Sequence, residues 1–503
     1  VVAVASLVAA SVPLLLRGGG ISGYGFNGAV YLSTSIHLVH GVLPYRDYVL
    51  LQPPGITVLL SPLGLLSLLT GSPTTWAVAR VVMIVVTSAN CVLVAVLLRR
   101  WGPVATLTGG LFLASFSLAG LVDSQVKLEP FFVFLTLLGC LALFGETAEV
   151  MVSRSLLAGI LLGLAGTIKL WAVFPAAVLL ALVVWRGREG VARFLAGLVA
   201  GFCVPVLPFV VVAPRAFFHD VVTTQLRRQV AAGQRVGALD RLQGLGYDAL
   251  RGLSPTPAIG ACLGAVVVAA VIVGLWQRRR SLRALECFAA GSSLLMVAAL
   301  LLPAEYFAYY AYVPAAFFAL LLGSSAAEAA RVVDGRAGAK GWDRRRLLAG
   351  TVALALLLSA AYFVAQLRTT AQALATSRPP GAAALIAAVV PPGACVVSND
   401  AYPLLMADRL SAVRRGCPVV VDAEGLWLSL APSLPPPAAA GSVPEVTAAW
   451  RSAFAGASYV VLNRYGDSYV PLTPALTAWF DAHFIQVASD GALRIYRLRA
   501  GVG

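Results

Sequence analysis

Two adjacent charges, Arg46 and Asp47, stand between Tyr45 and Tyr48 in the stretch GVLPYRDYVLLQPPG, Gly41 to Gly55, which closes on a Pro-Pro-Gly turn. Downstream, DSQVKLEP brings Asp123, Lys127 and Glu129 together immediately before an apolar run. Carboxylates from two separate loops are what acid–base or metal-assisted group transfer needs: one takes a proton from an acceptor hydroxyl while the other orients the donor or a metal. Local ion pairing, Arg46 with Glu129 or Lys127 with Asp123, is the competing use of the same charges. Lys169, in GLAGTIKLW, is far along the sequence from other charges. An ammonium so placed suits an anionic phosphate, and the alternative is a lysine snorkelling from a helix end.

Further polar groups cluster in the same segments. Asn27 to Gly41, NGAVYLSTSIHLVHG, reads as a short amphipathic surface helix with His37 and His40 on one face. Asn27, His37, Tyr45 and Gln52 are therefore candidate substrate contacts, with Asp123 and Lys127 from the second segment and Gln225 from a third. That third segment carries Arg227, Arg228, Arg235, Arg241 and Arg251; arginine in such excess calls for phosphate or an anionic headgroup. EYFAYYAYVP sets Tyr306, Tyr309 and Tyr310 at the mouth of an apolar run, as an aromatic belt or as rings on which a sugar stacks.

The elements that must position these residues are membrane helices. The 503 residues are 59% hydrophobic and only 12% charged, with a mean hydropathy of +0.86, outside the range of soluble globules. A net charge of +15 invites a nucleic-acid reading, but the basic residues fall in short clusters between apolar runs, as topology signals do. The first run, Val1 to Leu16, reads as a first spanning helix rather than a signal peptide. The positive-inside rule places the arginine clusters on one side if two conditions hold. Ile56 to Leu69, broken by Pro62 and Gly64, must lie in the interface. Leu156 to Trp185 must be a hairpin of two short spans turning near Lys169. The total is about eleven crossings in an all-α polytopic domain, residues 1–365, with the amino terminus cytoplasmic.

The remainder, residues 366–503, reads as a small α/β extracytoplasmic domain. Short apolar runs at Cys395 to Ser398, Val419 to Val421 and Ser458 to Leu462 suggest strands, and Val446 to Ala455 suggests a helix. Cys395 and Cys417 are the cysteines outside the spans, where a disulfide and two free thiols are equally open readings. Cys91, Cys140, Cys203, Cys262 and Cys287 read as packing residues within spans.

In this order and at these positions, GVLPYRDYVLLQPPG, VKLEPFFVFLTLLG and GLAGTIKLWAVFP resemble the GT-C superfamily of membrane glycosyltransferases, in the branch of protein mannosyltransferases and aminoarabinose transferases. The resemblance covers Val1 to Val364 and loosely the outer domain. It implies transfer of a sugar from a polyprenyl-phosphate donor to an envelope glycan, lipid or protein acceptor on the extracytoplasmic face of a bacterial inner membrane. Asp47 would be the base and Glu129 the partner acid. Lys169, Arg46, Arg227 and Arg228 would hold the donor phosphate, with magnesium or manganese at Asp47 and Glu129 as an option. One departure stands out: Asn27-Gly28 occupies the place where relatives carry an Asp-Glu pair. Either Asp47 has taken over the base role, or the register differs, or activity is changed or lost. A non-catalytic scaffold and a carrier or flippase for a lipid-linked solute are the alternatives.

Overall fold

A computed structural model describes residues 1–15, 25–116, 125–145, 148–229, 237–238, 241, 268–269, 271–276, 278–302, 306–338, 350, 353, 357, 361, 364, 381–410, 416–434, 436, 443–491 and 493–501. The chain divides into two compact units. One comprises Val1–Gly20, Val81–Val204 and Val236–Thr376. The other comprises Ile21–Arg80, Pro205–Arg235 and Ser377–Gly503, so that the loop of Arg46 and Asp47 and the first part of the arginine-rich segment group with the C-terminal part.

The first unit is helical, and its helices are apolar enough for lipid. Four described helices could cross a bilayer by length and composition: Ser72–Trp101, whose α-helical part Ser72–Leu98 is α5, Glu189–Val212, Ala284–Leu301 and Tyr309–Val333. Shorter apolar helices include α1 (Val2–Leu15), α6 (Pro103–Phe116), α7 (Leu128–Phe144), α8 (Ser155–Ile168) and α9 (Val173–Arg186). Of the spans anticipated from hydropathy, Ile259 to Trp276 and Leu347 to Val364 lie mostly outside the described residues.

The long apolar run from Leu156 is interrupted at the lysine. α8 stops at Ile168, Lys169 is extended at φ −150° and ψ 126°, and α9 begins after a single 3-10 turn. What fixes α8 is close packing on α10 (Glu189–Val212). A Cβ at Gly159 or Gly163 would strike the α10 backbone at Phe194 and Leu198, and one at Gly197 or Gly201 would strike Leu156 and Ile160 of α8. The two small-xxx-small faces meet because neither carries a side chain at the contact. α7 is held at its first turn by Asn90, whose Nδ2 donates to the Pro130 carbonyl at 2.9 Å and to the Tyr312 hydroxyl at 3.0 Å.

The second unit joins short helices to a sheet. α2 (Phe26–Val39) packs on two short helices, α3 (Gly55–Leu59) and α4 (Ser61–Thr70), with Thr34 and Thr57 hydroxyls 2.8 Å apart. The run from Ile56 is thus divided at Leu60 and forms no single spanning helix. β1 (Val396–Ser398), β2 (Tyr459–Asn463), β3 (Phe484–Ser489) and β4 (Leu493–Leu498) make a sheet of order β1-β2-β4-β3, parallel between β1 and β2 and antiparallel elsewhere. Trp427, Trp450, Phe454, Val460 and Phe480 form one core, and Ile386, Val396, Leu404, Val461 and Ile495 another. Val460 and Val461 enter different cores because adjacent strand residues face opposite sides. The helix anticipated at Val446 to Ala455 is Pro444–Ala455. Val419 to Val421 is a correction: it lies in irregular chain before the N-cap Asp422, whose carboxylate accepts from the Gly425 N–H and starts helix Ala423–Leu430. Cys395 and Cys417 are joined as a disulfide. Cys91 and Cys140 are buried, but Cys203 is exposed.

Candidate active site

Two constellations stand out, one in each unit. In the helical unit the break after α8 presents Lys169 to the first turn of α7. The Lys169 Nζ donates to Glu129 Oε1 at 2.6 Å, with both side chains almost fully buried. The same ammonium lies 3.9 Å from the ring centroids of both Trp171 and Tyr310, which enclose it from two sides. Lys127, also buried, lies 4.2 Å from the centroid of Tyr309. Tyr309 in turn stacks on Phe307, with centroids 5.2 Å apart and planes 11° apart. A desolvated ammonium is stabilised by a carboxylate and by the negative faces of aromatic rings, and this one has both. Lys169 is remote from other charges in sequence only, since the α7–α8 contact brings it onto an acid forty positions earlier.

In the other unit the first loop is folded around Tyr45, a non-glycine residue in the left-handed region at φ 66°. Such a conformation costs roughly 1–2 kcal/mol and persists where its surroundings over-determine it. Here the Tyr45 N–H donates to the Tyr48 carbonyl at 2.8 Å, its hydroxyl donates to the Gln52 carbonyl at 2.5 Å, and its ring meets Phe217 edge-on at 5.1 Å. The tight turn throws Arg46 and Asp47 outward. Arg46 makes a forked pair with Asp47 at 2.9 and 2.7 Å and donates to the Gly41 carbonyl, while the Leu43 N–H donates to Asp47 Oδ2 at 2.7 Å. Burial pushes the Asp47 carboxyl up, but Arg46 and the Leu43 N–H outweigh it and hold the group below the usual carboxylate range.

Beside this loop, burial lowers the His37 imidazole to about 4. His37 is therefore neutral at physiological pH, so that Nδ1, 2.7 Å from the Ser33 carbonyl, is the donor. The Tyr48 ring lies 5.7 Å from it, with a buried hydroxyl that has no hydrogen-bond partner among the described residues.

The other sequence candidates are distributed differently. Gln225 donates to the Leu51 carbonyl at 3.0 Å. Arg228 pairs with Glu424 at 2.7 Å, and Arg227 is exposed. Arg241 donates to the Leu300 carbonyl and lies 5.7 Å from the Tyr306 ring. Asn27 opens α2. Asp123, Arg235 and Arg251 lie outside the described residues. Sequence reasoning missed Trp171, Asp220, Glu424 and Ser429; of these only Asp220, a lone acid in AFFHDVVTTQ, carried a signal. No three His, Cys, Asp or Glu side chains among the described residues group as a cation site. Both Asp47 oxygens and one Glu129 oxygen are already engaged, so these donors do not fit a divalent cation as they stand.

Mostly helical, with apolar spans and a small C-terminal sheet, the chain has the GT-C fold of membrane glycosyltransferases and is a multi-pass membrane protein. It belongs to glycosyltransferase family 87, whose sequence profile matches residues 51–303, and it is a transferase. Among solved structures it is similar to ArnT from Cupriavidus metallidurans bound to undecaprenyl phosphate: the TM-score is 0.63 at 15% identity, over 100% of this chain and 98% of that one. The apo form of the same protein gives 0.62 at 14% identity, with the same coverage. The Archaeoglobus fulgidus oligosaccharyltransferase tethered with an acceptor peptide gives 0.53 at 13% identity, over 99% of this chain and 73% of that one. No curated protein matches by sequence.

Proposed function

We propose that this family 87 enzyme transfers a sugar from a polyprenyl-phosphate donor to an envelope acceptor hydroxyl at the extracytoplasmic face of a bacterial inner membrane. The amino terminus is then cytoplasmic and the C-terminal α/β part extracytoplasmic. The observation that carries the reading is the buried Lys169 ammonium, held at a helix break by Glu129, Trp171 and Tyr310. In the transfer, the bond from the sugar C1 to the phosphate oxygen breaks and the phosphate leaves with the electron pair. The acceptor oxygen bonds to C1, and its proton passes to the Asp47 carboxylate. Lys169 stabilises the charge developing on the phosphate, a task suited to a cation already desolvated and oriented. Arg46 supplies a second, more exposed cation. Tyr309 and Tyr310 offer ring faces for the sugar. We derive no step through a metal.

The undecaprenyl phosphate bound by ArnT supports the donor class, and the acceptor peptide on the oligosaccharyltransferase supports an acceptor in general. Both acids are charge-balanced, and this favours a second reading, a non-catalytic scaffold. One assay separates the two: transfer by purified protein in lipid from a panel of polyprenyl-phosphate sugars to mixed envelope glycans, with Asp47→Asn and Glu129→Gln alongside. Transfer lost in both variants supports the enzyme; donor binding without transfer in the unaltered protein supports the scaffold.

A further inference from the structure

Between α10 and the C-terminal part, residues 214–227 form one helical rod with an irregularity in its middle: α11 (Pro214–Phe218), a π turn (His219–Thr223) and α12 (Thr224–Arg227). In an α-helix residues five apart point to different sides, because a turn takes 3.6 residues. A π turn closes i to i+5 and so brings Gln225 round to the side of Asp220. Both then grip one stretch of backbone. The Leu50 N–H donates to the Asp220 carboxylate, and Gln225 donates to the Leu51 carbonyl at 3.0 Å. This stretch immediately follows Arg46 and Asp47, and the Phe217 ring on the same rod seats Tyr45.

The other side of the rod is gripped by the C-terminal part. Ser429, on helix Ala423–Leu430, donates to Asp220 Oδ1 at 2.8 Å. Arg228 pairs with Glu424 of that helix, and the Gln229 N–H donates to the Pro432 carbonyl at 2.9 Å. His219, half exposed, completes the set with Nδ1 at 3.2 Å from Asp220 Oδ1. Asp220 is 4% exposed, and a carboxylate so buried is retained only where its hydrogen bonds compensate for lost water. Removing either donor leaves it undersatisfied. Its position at a π turn in an otherwise regular rod is a second sign that the geometry serves a purpose.

We infer that Asp220 is a positioning residue: its carboxylate, shared between the Leu50 N–H and the Ser429 hydroxyl, is the link through which the C-terminal α/β part fixes the loop presenting Arg46 and Asp47. It touches no reacting atom in the proposed transfer. Its effect runs through the backbone that carries Asp47, and the catalytic consequence rests on the transferase reading above, whereas the mechanical one does not.

The test uses the full chain in lipid nanodiscs. Hydrogen–deuterium exchange is read over residues 43–52 in Asp220→Ala, Asp220→Asn, Ser429→Ala and the unaltered protein. Asp220→Ala is expected to speed exchange across that peptide about tenfold or more. Ser429→Ala, which touches nothing in the loop, is expected to speed it about threefold. Asp220→Asn, whose amide oxygen still accepts from Leu50, is expected to stay near the unaltered rate. In the transfer assay, kcat should follow the same order while the KM for donor stays within about twofold. Unchanged loop exchange in Ser429→Ala overturns the inference, as does unchanged exchange in a folded Asp220→Ala. Exchange that changes as expected in a protein that transfers no sugar supports the link and sinks the transferase reading instead.

Discussion

The Lys169 Nζ sits 2.6 Å from Glu129 Oε1, an ion pair closed over by Trp171 and Tyr310 and drawn from helices that are separate in sequence. Removing one member of such a pair strands a buried charge, at a cost of about 3–5 kcal/mol, whereas removing both is far cheaper. Glu129→Gln and Lys169→Met are each expected to lower the thermal midpoint measurably, and the double variant to recover much of it. Transfer should not recover, because the double variant still lacks the cation for the phosphate. Thermal unfolding in detergent, run beside the transfer assay, gives both readings. A double variant that regains activity would remove Lys169 from the mechanism.

Asp47 is expected to behave in the opposite way. Its pair with Arg46 is partly exposed, and pairs of that kind contribute about 0–1 kcal/mol. Asp47→Asn should leave the thermal midpoint nearly unchanged while cutting transfer by about a hundredfold or more. Its carboxyl is held below the usual range, so whatever it adds to stability is present above the ordinary aspartate pKa and is lost only as pH falls through the still lower folded value. No limb of the pH–rate profile between pH 5 and 8 should therefore belong to it. A limb in that interval that vanishes in Asp47→Asn would contradict this assignment.

Part of this architecture is legible in the sequence and part is not. Pro62 and Gly64 mark the run from Ile56 as something other than a span, and the chain breaks at Leu60. Lys169 marks the division between α8 and α9 for the same reason, since a lone charge inside thirty apolar residues must sit near an end. The partner of that lysine is hidden, because ion pairing across helices follows from packing and leaves no periodic trace. β3 and β4 escape for another reason. FIQVAS and LRIYRL mix polar and apolar residues on an edge-side pair whose outer positions are wet, so their hydropathy stays low. The clamp at Asp220 is the least legible of all: it joins three stretches distant in sequence.

Divalent metal is a proposal with a direct check. Asp47 is balanced by Arg46 and Glu129 by Lys169, and no three His, Cys, Asp or Glu side chains among the described residues group as a cation site. Transfer measured after exhaustive treatment with EDTA is expected to stay within about twofold of the untreated rate. A loss restored by magnesium or manganese would show that a divalent metal takes part in the transfer.

Asp422 supplies the clearest pH dependence. Burial, reinforced by the neighbouring Glu424, raises its carboxyl to about 7 in the folded protein, against an ordinary value of about 4 when unfolded. The protonated form is thus the one the fold favours. Stability from this group is fully present below pH 4 and is lost progressively as pH rises from there through 7, the reverse of a salt-bridged aspartate. The Asp422→Asn variant removes the titration while keeping an oxygen to accept from Gly425 at the helix start. It should match the unaltered protein at pH 3 and exceed it at pH 8 by up to about 4 kcal/mol, three pKa units at about 1.4 kcal/mol each, read as a higher thermal midpoint. Equal midpoints at pH 8 would mean that the carboxylate is better solvated than its packing indicates. A lower midpoint for the variant at pH 8 would mean that the charged cap, set against Arg228, outweighs the cost of burying it.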